Sequence, residues 1–271
     1  MLNPEPTDVT STTTDAVEYY RTCNLIGNIH IVWSEKKPPS ARLVESFSMY
    51  KKPKIVFDVH PIDSLNNRFM PLNGSHTEAI FAVDDDMRVS CGDLNVAYET
   101  WRSSKRSLVG FMPRTYLRRD NKFIYRCWWT VWWHGSYSII LTKAAIFHHD
   151  FMQIYTHKMP PEVRKFVDDM GQCEDIAMQF LIANQTHLPP IYVKGHLVDK
   201  GSLNGISTKV NIANAGHMKE RSECLNQLVA LFKGNPLKRS HIVVEATTNS
   251  LFAAEPSTWM EYISSDLWNF F

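Results

Sequence analysis

Several kinds of sequence signal are missing from this 271-residue chain, and each absence excludes a class of protein. No run of 18 apolar residues occurs, so the sequence predicts no membrane-spanning helix. Residues 1–15 lack the apolar core of a signal peptide, since they carry two prolines and a run of Ser and Thr. Gly-x-Ser-x-Gly, the Walker A motif and Gly-x-Gly-x-x-Gly are also missing, which removes the serine hydrolase, P-loop and Rossmann interpretations.

An excess of charge of one sign is likewise missing, because 29 Lys and Arg residues face 28 Asp and Glu residues. The net charge of +1 gives no electrostatic reason to expect nucleic acid or an anionic membrane as a partner. The five cysteines are scattered, without the paired short spacings of a zinc site. The length suits one large α/β domain or two small ones, and it is sufficient for a full hydrophobic core.

The most informative stretch is residues 79–86, which reads Ala-Ile-Phe-Ala-Val-Asp-Asp-Asp. Its five apolar residues predict a buried strand, although periodicity alone also fits a helical segment. Because side chains of an extended backbone alternate in direction, Asp84 and Asp86 are expected on one side and Asp85 on the other. Two carboxylates on one side can hold Mg²⁺ or Mn²⁺, which neutralises a diphosphate. Taken alone, the same three residues also suit a solvated acidic turn.

Strands and helices alternate along much of the chain, which predicts an α/β fold with a mostly parallel central sheet flanked by helices. The predicted strands cover residues 28–33, 54–59, 79–83, 108–112 and 191–198. The predicted helices cover residues 16–23, 40–50, 93–101, 143–157, 161–170, 173–183 and 218–232. A mobile loop is expected over residues 200–216, which hold three glycines and little hydrophobic period.

The middle of the chain has a different character. Residues 122–142 are rich in aromatic and β-branched residues and predict a hairpin that turns at His134 and Gly135. One face of this hairpin is expected to be buried and the other to meet the sugar rings of an acceptor. Its four tryptophans are Trp128, Trp129, Trp132 and Trp133. The histidines lack a His-x-x-x-His ligand spacing, so they are expected to be structural or solvated.

These patterns divide the chain into a disordered tail over residues 1–15, one domain over residues 16–245 and a C-terminal tail over residues 246–271.

Seven short runs, taken in order, resemble one known family. They are residues 31–35 (Ile-Val-Trp-Ser-Glu), 64–69 (Ser-Leu-Asn-Asn-Arg-Phe), 82–86 (Ala-Val-Asp-Asp-Asp), 109–114 (Val-Gly-Phe-Met-Pro-Arg), 132–138 (Trp-Trp-His-Gly-Ser-Tyr-Ser), 173–178 (Cys-Glu-Asp-Ile-Ala-Met) and 221–226 (Arg-Ser-Glu-Cys-Leu-Asn). In this order they resemble the catalytic domain of the exostosin-like glycosyltransferases, family 64, and within it the plant members that build glycosylinositol phosphorylceramide head groups. Their order and number make the match far more specific than the three aspartates alone.

The resemblance implies a nucleotide-sugar-binding domain of the GT-A type with a smaller acceptor-side hairpin region. It also implies a retaining glycosyltransferase assisted by Mn²⁺ or Mg²⁺. Asp86 would be the direct metal ligand and Asp84 would contact the ribose side of the nucleotide, with Asp85 beside them in the donor site. Asn67 and Arg68 match the nucleotide-contacting loop of the family, where a guanidinium can hold phosphate through two hydrogen bonds.

The last two runs supply the remaining candidates. By resemblance, Arg221 would close over the diphosphate and Asp175 would face the reacting sugar as the catalytic carboxylate. Three roles stay open for Asp175, namely charge stabilisation, acceptor positioning and nucleophilic attack, and a favourable charge at a helix N-terminus is the plainer alternative. The resemblance also implies a disulfide between Cys173 and Cys224. The other cysteines are expected to be free thiols; they are Cys23, Cys91 and Cys127.

The family further implies the partners and the compartment. The donor is expected to be UDP-N-acetylglucosamine, UDP-N-acetylgalactosamine or GDP-mannose, and the acceptor a glycolipid or glycan. The expected location is the Golgi or endoplasmic reticulum lumen, with membrane association only through a segment absent from this chain.

One departure from the family pattern leaves two hypotheses open. The family domain normally opens with a strand that ends in an Arg and lines the nucleotide pocket, whereas residues 1–15 predict no such strand. The first hypothesis is therefore a working glycosyltransferase. The second is a truncated, catalytically inactive relative that binds a nucleotide or a protein partner without turnover.

Overall fold

The computed structural model describes residues 7–75, 77–200 and 214–246, which form a mixed α/β structure. In chain order the helices are α1 Thr7–Tyr20, α2 Ala41–Ser48, α3 Cys91–Ser103, α4 Trp128–His134, α5 Asp150–His157, α6 Pro161–Met170, α7 Glu174–Thr186 and α8 Asn214–Leu231, with a short 3-10 helix at Leu65–Phe69. The strands are β1 Asn28–Trp33, β2 Lys54–Val59, β3 Ala79–Val83, β4 Met87–Val89, β5 Val109–Gly110, β6 Pro113–Arg119, β7 Lys122–Arg126, β8 Ile139–Ile140, β9 Ala144–His148, β10 Ile191–Lys194, β11 Leu197–Asp199 and β12 Val243–Glu245.

The largest sheet has five strands in the order β12-β10-β5-β9-β3. Strands β12, β10 and β5 pair in parallel, whereas β9 is antiparallel to both of its neighbours, β5 and β3. The α/β class is therefore confirmed, but the prediction of a mostly parallel central sheet is corrected to a mixed sheet. The carboxyl end of β3 and the amino end of β9 lie side by side, because Val83 is opposite Ala144.

Strand β9 also corrects the helix predicted over residues 143–157. Only the second part of that segment, α5, is helical, and residues 144–148 form a strand in the middle of the sheet. Ala144, Ala145 and Phe147 have no exposed surface. A short run that is buried on both faces carries no alternation, so its hydrophobic pattern cannot separate a strand from a helix.

The prediction of a hairpin over residues 122–142 is wrong. Strand β7 pairs with β6 across a turn at Asp120 and Asn121, both of which have positive φ. The tryptophan-rich segment that follows is the helix α4, and Gly135 ends it in the left-handed conformation, at φ 59°. His134 and Gly135 therefore mark the end of a helix and not the turn of a hairpin.

Helix α7 passes through the main hydrophobic core. Ten consecutive residues, from Glu174 to Ala183, are buried, so the helix is covered on every side. The core around it includes Tyr155 of α5, Val163 of α6 and Leu228 of α8. This packing fixes the N-terminus of α7, where two acidic residues lie, relative to the sheet.

A close approach of β5 to β9 requires a glycine. A Cβ atom at Gly110 would lie 2.6 Å from the carbonyl oxygen of Ala144 and 2.8 Å from the Cβ of Ala145, which is too near for any side chain. Gly110 thus lets the amino end of β9 sit tightly against the sheet.

The N-terminal region departs from two predictions. Helix α1 begins at Thr7, so part of the tail predicted over residues 1–15 is helical, and Val17 packs with Ile31 and Phe47 in a small core of its own. Cys23 and Cys91, predicted to be free, form a disulfide that joins the segment after α1 to the first residue of α3. Cys127 is a free thiol, as predicted.

Two other predicted segments fall on residues that the structure does not describe, namely most of the loop over residues 200–216 and nearly all of the tail over residues 246–271. Across the described residues, no helix combines the length and the apolar character needed to cross a bilayer.

Candidate active site

The turn after β3 carries the three aspartates, and main-chain hydrogen bonds shape it. The amide of Asp84 donates to the carbonyl oxygen of Lys143 at 3.0 Å, which ties the turn to the start of β9. Asp85 is directed away from the other two, since its carboxylate accepts hydrogen bonds from the hydroxyls of Thr12 and Thr13 at 3.0 and 3.1 Å. The structure therefore separates Asp85 from the group that Asp84 and Asp86 belong to.

Arg68, on the 3-10 helix, connects this turn to α7. Its guanidinium forms an ion pair with Asp84, donates to the carbonyl oxygen of Thr142 at 2.9 Å and lies 3.8 Å from the carboxylate of Glu174. Its neighbour Asn67 is buried and stabilises the loop before the 3-10 helix, because its side-chain amide donates to the carbonyl oxygen of Ile62 at 2.7 Å. Arg68 joins the candidate group, whereas Asn67 supports the backbone behind it.

The N-terminus of α7 and helix α8 contribute the second half of the group. Arg221 donates to both carboxylate oxygens of Asp175, at 2.5 and 3.0 Å. The predicted disulfide between Cys173 and Cys224 is confirmed and cross-links the two helices beside this ion pair. The two residues that the family resemblance links to the reacting sugar and to the diphosphate thus contact each other directly.

The two acids at this helix end differ in their electrostatics. Burial, reinforced by the Asp175 charge, raises the pKa of Glu174 to about 7. Burial also acts on Asp175, but the Arg221 guanidinium outweighs it and lowers the pKa of that carboxyl. At neutral pH Asp175 is a fixed anion, whereas Glu174 can carry a proton.

A third cluster surrounds Asp86, and sequence reasoning missed two of its members. The ammonium of Lys143 lies 3.2 Å from the Oδ2 atom of Asp86 and also 3.2 Å from the Oδ2 atom of Asp199. Burial, together with the charges of Asp199 and Asp84, raises the pKa of Asp86, and the Lys143 ammonium opposes this shift. The one available signal was an acid at the end of the predicted strand over residues 191–198.

The chemistry of these residues fits a divalent cation. The Oδ1 atom of Asp86 is buried and has no hydrogen-bond partner among the described residues, so one oxygen is ready for a ligand. Among the described residues, ion pairs join five carboxyl groups to three cationic side chains. The acids are Asp84, Asp86, Glu174, Asp175 and Asp199, and the cations are Arg68, Lys143 and Arg221. Carboxylate oxygens are the ligands that Mg²⁺ and Mn²⁺ prefer, so the Oδ1 atom of Asp86 is the atom that fits such a cation.

Exposed aromatic residues lie on the strand-and-helix unit next to Arg221. The guanidinium of Arg221 is 6.0 Å from the ring of Tyr125 in β7, and α4 follows that strand. On α4, residues Trp132 and Trp133 are 57% and 78% exposed, which leaves two large rings open to a ligand. The four tryptophans are therefore not simply core.

A group of His148, His149 and Asp150 lies at the opposite end of β9 from Lys143, with ligand atoms within 4.8 Å of one another. The Nε2 atom of His149 lies 2.9 Å from a carboxylate oxygen of Asp150. This group is separate from the candidate site.

Comparison with known proteins decides the family. The profile described as "Glycosyl transferase family 64 domain" matches residues 7–250. The chain belongs to glycosyltransferase family 64. It is therefore a glycosyltransferase, and the family predicted from the seven sequence runs is confirmed.

Curated relatives agree with this assignment. Glycosylinositol phosphorylceramide mannosyl transferase 1 of Arabidopsis thaliana is 40% identical over 235 residues, which are 82% of this family 64 chain and 69% of that protein. Exostosin-2 of Homo sapiens is 35% identical over 224 residues, 79% of this chain and 29% of that protein. Exostosin-1 of Bos taurus is 30% identical over 215 residues, 79% of this chain and 28% of that protein. The chain thus spans less than a third of either exostosin.

Proposed function

We propose that this family 64 chain is a retaining transferase of the GT-A type, which moves a hexose or N-acetylhexosamine from a nucleotide-sugar donor to a glycolipid or glycan acceptor with the help of Mn²⁺ or Mg²⁺. The observation that carries the proposal is the convergence of the strand-end acids with Arg68 and with the pair Asp175–Arg221. Segments far apart in sequence bring opposite charges into one partly buried group, which is the arrangement that binding of a charged donor needs.

The two arginines are the groups that suit the donor's diphosphate. A guanidinium presents a planar set of donors that matches phosphate oxygens through two hydrogen bonds. In the free protein Arg68 is held by Asp84 and by the carbonyl oxygen of Thr142, and Arg221 is held by Asp175. Both are therefore pre-oriented before the donor arrives, which lowers the entropy cost of binding it.

Asp86 is the residue that would hold the divalent cation, and Asp84 would bind the nucleotide through its ribose. When bound, the cation supplies Lewis-acid stabilisation of the charge that develops on the departing diphosphate. The protein's own part is to hold the two carboxylates on one side of the turn after β3, while Asp85 is retained by α1.

Asp175 is the anion that suits the reacting sugar. In the transfer, the bond between the anomeric carbon and the diphosphate oxygen breaks, the bond to the acceptor oxygen forms, and the acceptor's proton leaves with the diphosphate. The anomeric carbon carries positive charge in this transition state. A buried carboxylate that stays ionised can stabilise that charge, and Arg221 keeps Asp175 ionised.

The choice of donor and acceptor follows the relatives. One of them is named as a mannosyl transferase of glycosylinositol phosphorylceramide, so GDP-mannose and a glycolipid acceptor are the first pair to test. UDP-N-acetylglucosamine and UDP-N-acetylgalactosamine complete the set. The two disulfides require an oxidising compartment, which supports the Golgi or endoplasmic reticulum lumen.

A donor-hydrolysis screen tests the proposal. The folded protein is incubated with each of the three donors, with Mn²⁺ or with EDTA, and release of GDP or UDP is measured. We expect one donor to be hydrolysed with Mn²⁺ but not with EDTA, and the Asp86→Asn variant to be inactive. If the folded protein cleaves none of the donors and transfers no sugar to a glycolipid acceptor, the proposed function is wrong and the inactive-relative hypothesis is favoured.

A further inference from the structure

The chain contains the motif Asn-x-Ser/Thr, in which x is not proline, at two places that the proposed function does not use. They are residues 73–75, Asn-Gly-Ser, and residues 184–186, Asn-Gln-Thr. In proteins of the secretory pathway this motif is the acceptor for N-linked glycans, and the modified asparagine lies on the surface. Because so short a motif also occurs by chance, the structure around each copy decides which one can serve.

The motif at residues 73–75 lies in an exposed turn. Asn73 and Gly74 are both exposed, and Gly74 has φ 70°, a left-handed conformation that glycine adopts readily in turns. A Cβ atom at Gly74 would have no described atom beyond its chain neighbours within 4 Å, so the space beside the turn is open. The Ser75 hydroxyl lies 3.4 Å from that of Thr77, which is too long to hold it firmly. An enzyme can therefore reach both polar groups of the motif.

The backbone of this turn is anchored, although Asn73 itself is exposed. The main-chain amide of Asn73 donates to the Oδ1 atom of Asp58 in β2, at 3.3 Å. Asp58 is buried, and its Oδ2 atom lies 2.7 Å from the Nδ1 atom of His30. Leu72, directly before the motif, packs against the main hydrophobic core. A glycan on Asn73 would thus extend from a turn that is already held in place, without displacing packed residues.

The motif at residues 184–186 lies in the last part of α7 and is engaged by the fold. Asn184 is exposed, but the Thr186 hydroxyl donates to the carbonyl oxygen of Ile182 at 2.8 Å. The same hydroxyl accepts from the amide of Leu188 at 3.2 Å. An enzyme could use this copy only before α7 forms, whereas the turn at Asn73 stays open in the folded protein. The structure therefore favours Asn73 as the acceptor.

We propose that Asn73 is an N-glycosylation site, at which an oligosaccharide transferase of the lumen attaches a glycan. In this step the bond between the anomeric carbon of a lipid-diphosphate-linked oligosaccharide and its diphosphate oxygen breaks. A bond from that carbon to the Nδ2 atom of Asn73 forms, and the amide proton leaves with the lipid diphosphate. The inference rests on the lumenal location in the proposed function, which the two disulfides support, but not on the activity of this chain.

Mass spectrometry of the protein from its own cells tests the inference. Peptide N-glycosidase F in heavy-oxygen water converts each glycan-bearing asparagine into a labelled aspartate. We expect the label at residue 73 of the parent, and the loss of one glycan in Asn73→Gln. Ser75→Ala should lose the same glycan although Asn73 is intact, whereas Ser75→Thr keeps the hydroxyl and should keep the glycan. Asn184→Gln, which removes the other motif, is the matched control and should retain the label at residue 73.

The outcomes separate the inference from the proposed function. If residue 73 is unlabelled in the folded, disulfide-bonded protein, the inference is overturned even when the protein is an active transferase. A label at residue 184 alone, or a Ser75→Ala protein that keeps the label at residue 73, overturns it equally. Should the variants fail to fold, the label in the unaltered protein decides. A labelled residue 73 in a protein that cleaves no donor supports the inference and refutes the proposed function alone.

Discussion

Arg221 reaches both carboxylate oxygens of Asp175, at 2.5 and 3.0 Å, across the interface between α8 and the N-terminus of α7. The Cys173–Cys224 disulfide lies directly beside this ion pair and joins the same two helices. The residue predicted to bind diphosphate and the residue predicted to face the sugar therefore form a single unit.

Replacing Asp175 with Asn is expected to lower sugar transfer by at least about a hundredfold while donor binding survives, because a general catalytic group contributes 10²–10⁴-fold. Initial rates and donor affinity measured by calorimetry separate the two effects. Glu174→Gln is the matched control and should cost much less. Equal losses in both variants, or an active Asp175→Asn protein, would leave only a helix-dipole role for Asp175.

Glu174 is expected to make the stability of the protein fall as the pH rises. Its folded-state pKa is about 7, above its ordinary value of 4.5, so the folded state keeps a proton that the unfolded state has lost. The stability it contributes is complete below pH 4.5 and disappears as the pH approaches 7.

Urea unfolding at pH 4.5 and pH 7 measures this effect as a difference between proteins. Relative to Glu174→Gln, the parent should lose about 1–3 kcal/mol of unfolding free energy between the two pH values. The exposed Glu162→Gln variant controls for the loss of one acid. If the unfolding free energies of the parent and of Glu174→Gln change equally between pH 4.5 and pH 7, the raised pKa is contradicted.

Asp86→Asn is expected to abolish Mn²⁺-dependent binding of the nucleoside diphosphate, because the amide keeps the shape but removes the charge. Asp85→Asn is the natural control, since Asp85 is held by Thr12 and Thr13 and stands apart from the site. Calorimetry with GDP and UDP in the presence of Mn²⁺ measures both. An Asp86→Asn protein that binds as well as the parent would refute the metal assignment.

The two disulfides are expected to contribute equally to stability but unequally to function. They close loops of 68 and 51 residues, so each should stabilise the fold by about 4 kcal/mol in the chain-entropy model. The Cys173→Ala/Cys224→Ala variant should also lose transfer, because the cross-link fixes Asp175 against Arg221. The Cys23→Ala/Cys91→Ala variant should stay active at temperatures where it is folded. Urea unfolding and transfer rates check both statements, and full activity without the Cys173–Cys224 bridge would refute the second.

The exposed tryptophans of α4 are expected to bind acceptor and not donor. Trp132→Ala and Trp133→Ala each remove a ring that can stack on a sugar, at about 1 kcal/mol or roughly fivefold in acceptor KM. Donor hydrolysis without acceptor should be unchanged. Val131→Ala, a buried substitution on the same helix, controls for damage to α4. Equal acceptor KM values across parent and tryptophan variants would argue against this surface as the acceptor site.

The local sequence pattern was sufficient to predict strands where polar turn residues lie on both sides of an apolar run. Strands over residues 28–33, 54–59 and 79–83 occur within the predicted bounds, as does the acidic turn that follows the third. The Cys173–Cys224 disulfide was also predicted, but only by resemblance to the family and not from spacing.

Local pattern failed where tertiary packing decides the conformation. Ala144 and Ala145 favour helix intrinsically, yet burial between two strands makes them part of a sheet. Aromatic residues favour strand, yet Trp132 and Trp133 lie on a helix that Gly135 can end in the left-handed conformation. In each case the residue types agreed with the wrong element.

The site was predicted in part for a related reason. Asp84, Asp86 and Arg68 were predicted as site residues because they belong to short runs that resemble the family, and the structure places them close together. Lys143 and Asp199 were missed because only the fold brings them close to Asp86. Lys143 is 57 residues away from Asp86 in the sequence, and Asp199 lies on the later strand β11. The disulfide between Cys23 and Cys91 was not predicted for the same reason, because only the fold brings the two residues together.

The hydrogen bond from Arg68 to residue 142 has a consequence for protein engineering. Because the acceptor is the carbonyl oxygen of Thr142, the orientation of Arg68 depends on the path of the main chain and not on which amino acid stands there. A substitution of the fully buried Thr142 that preserves the path of the main chain is therefore expected to keep this contact with the guanidinium. A search for functional residues that considers side chains alone would overlook residue 142, although its main-chain carbonyl helps to orient Arg68.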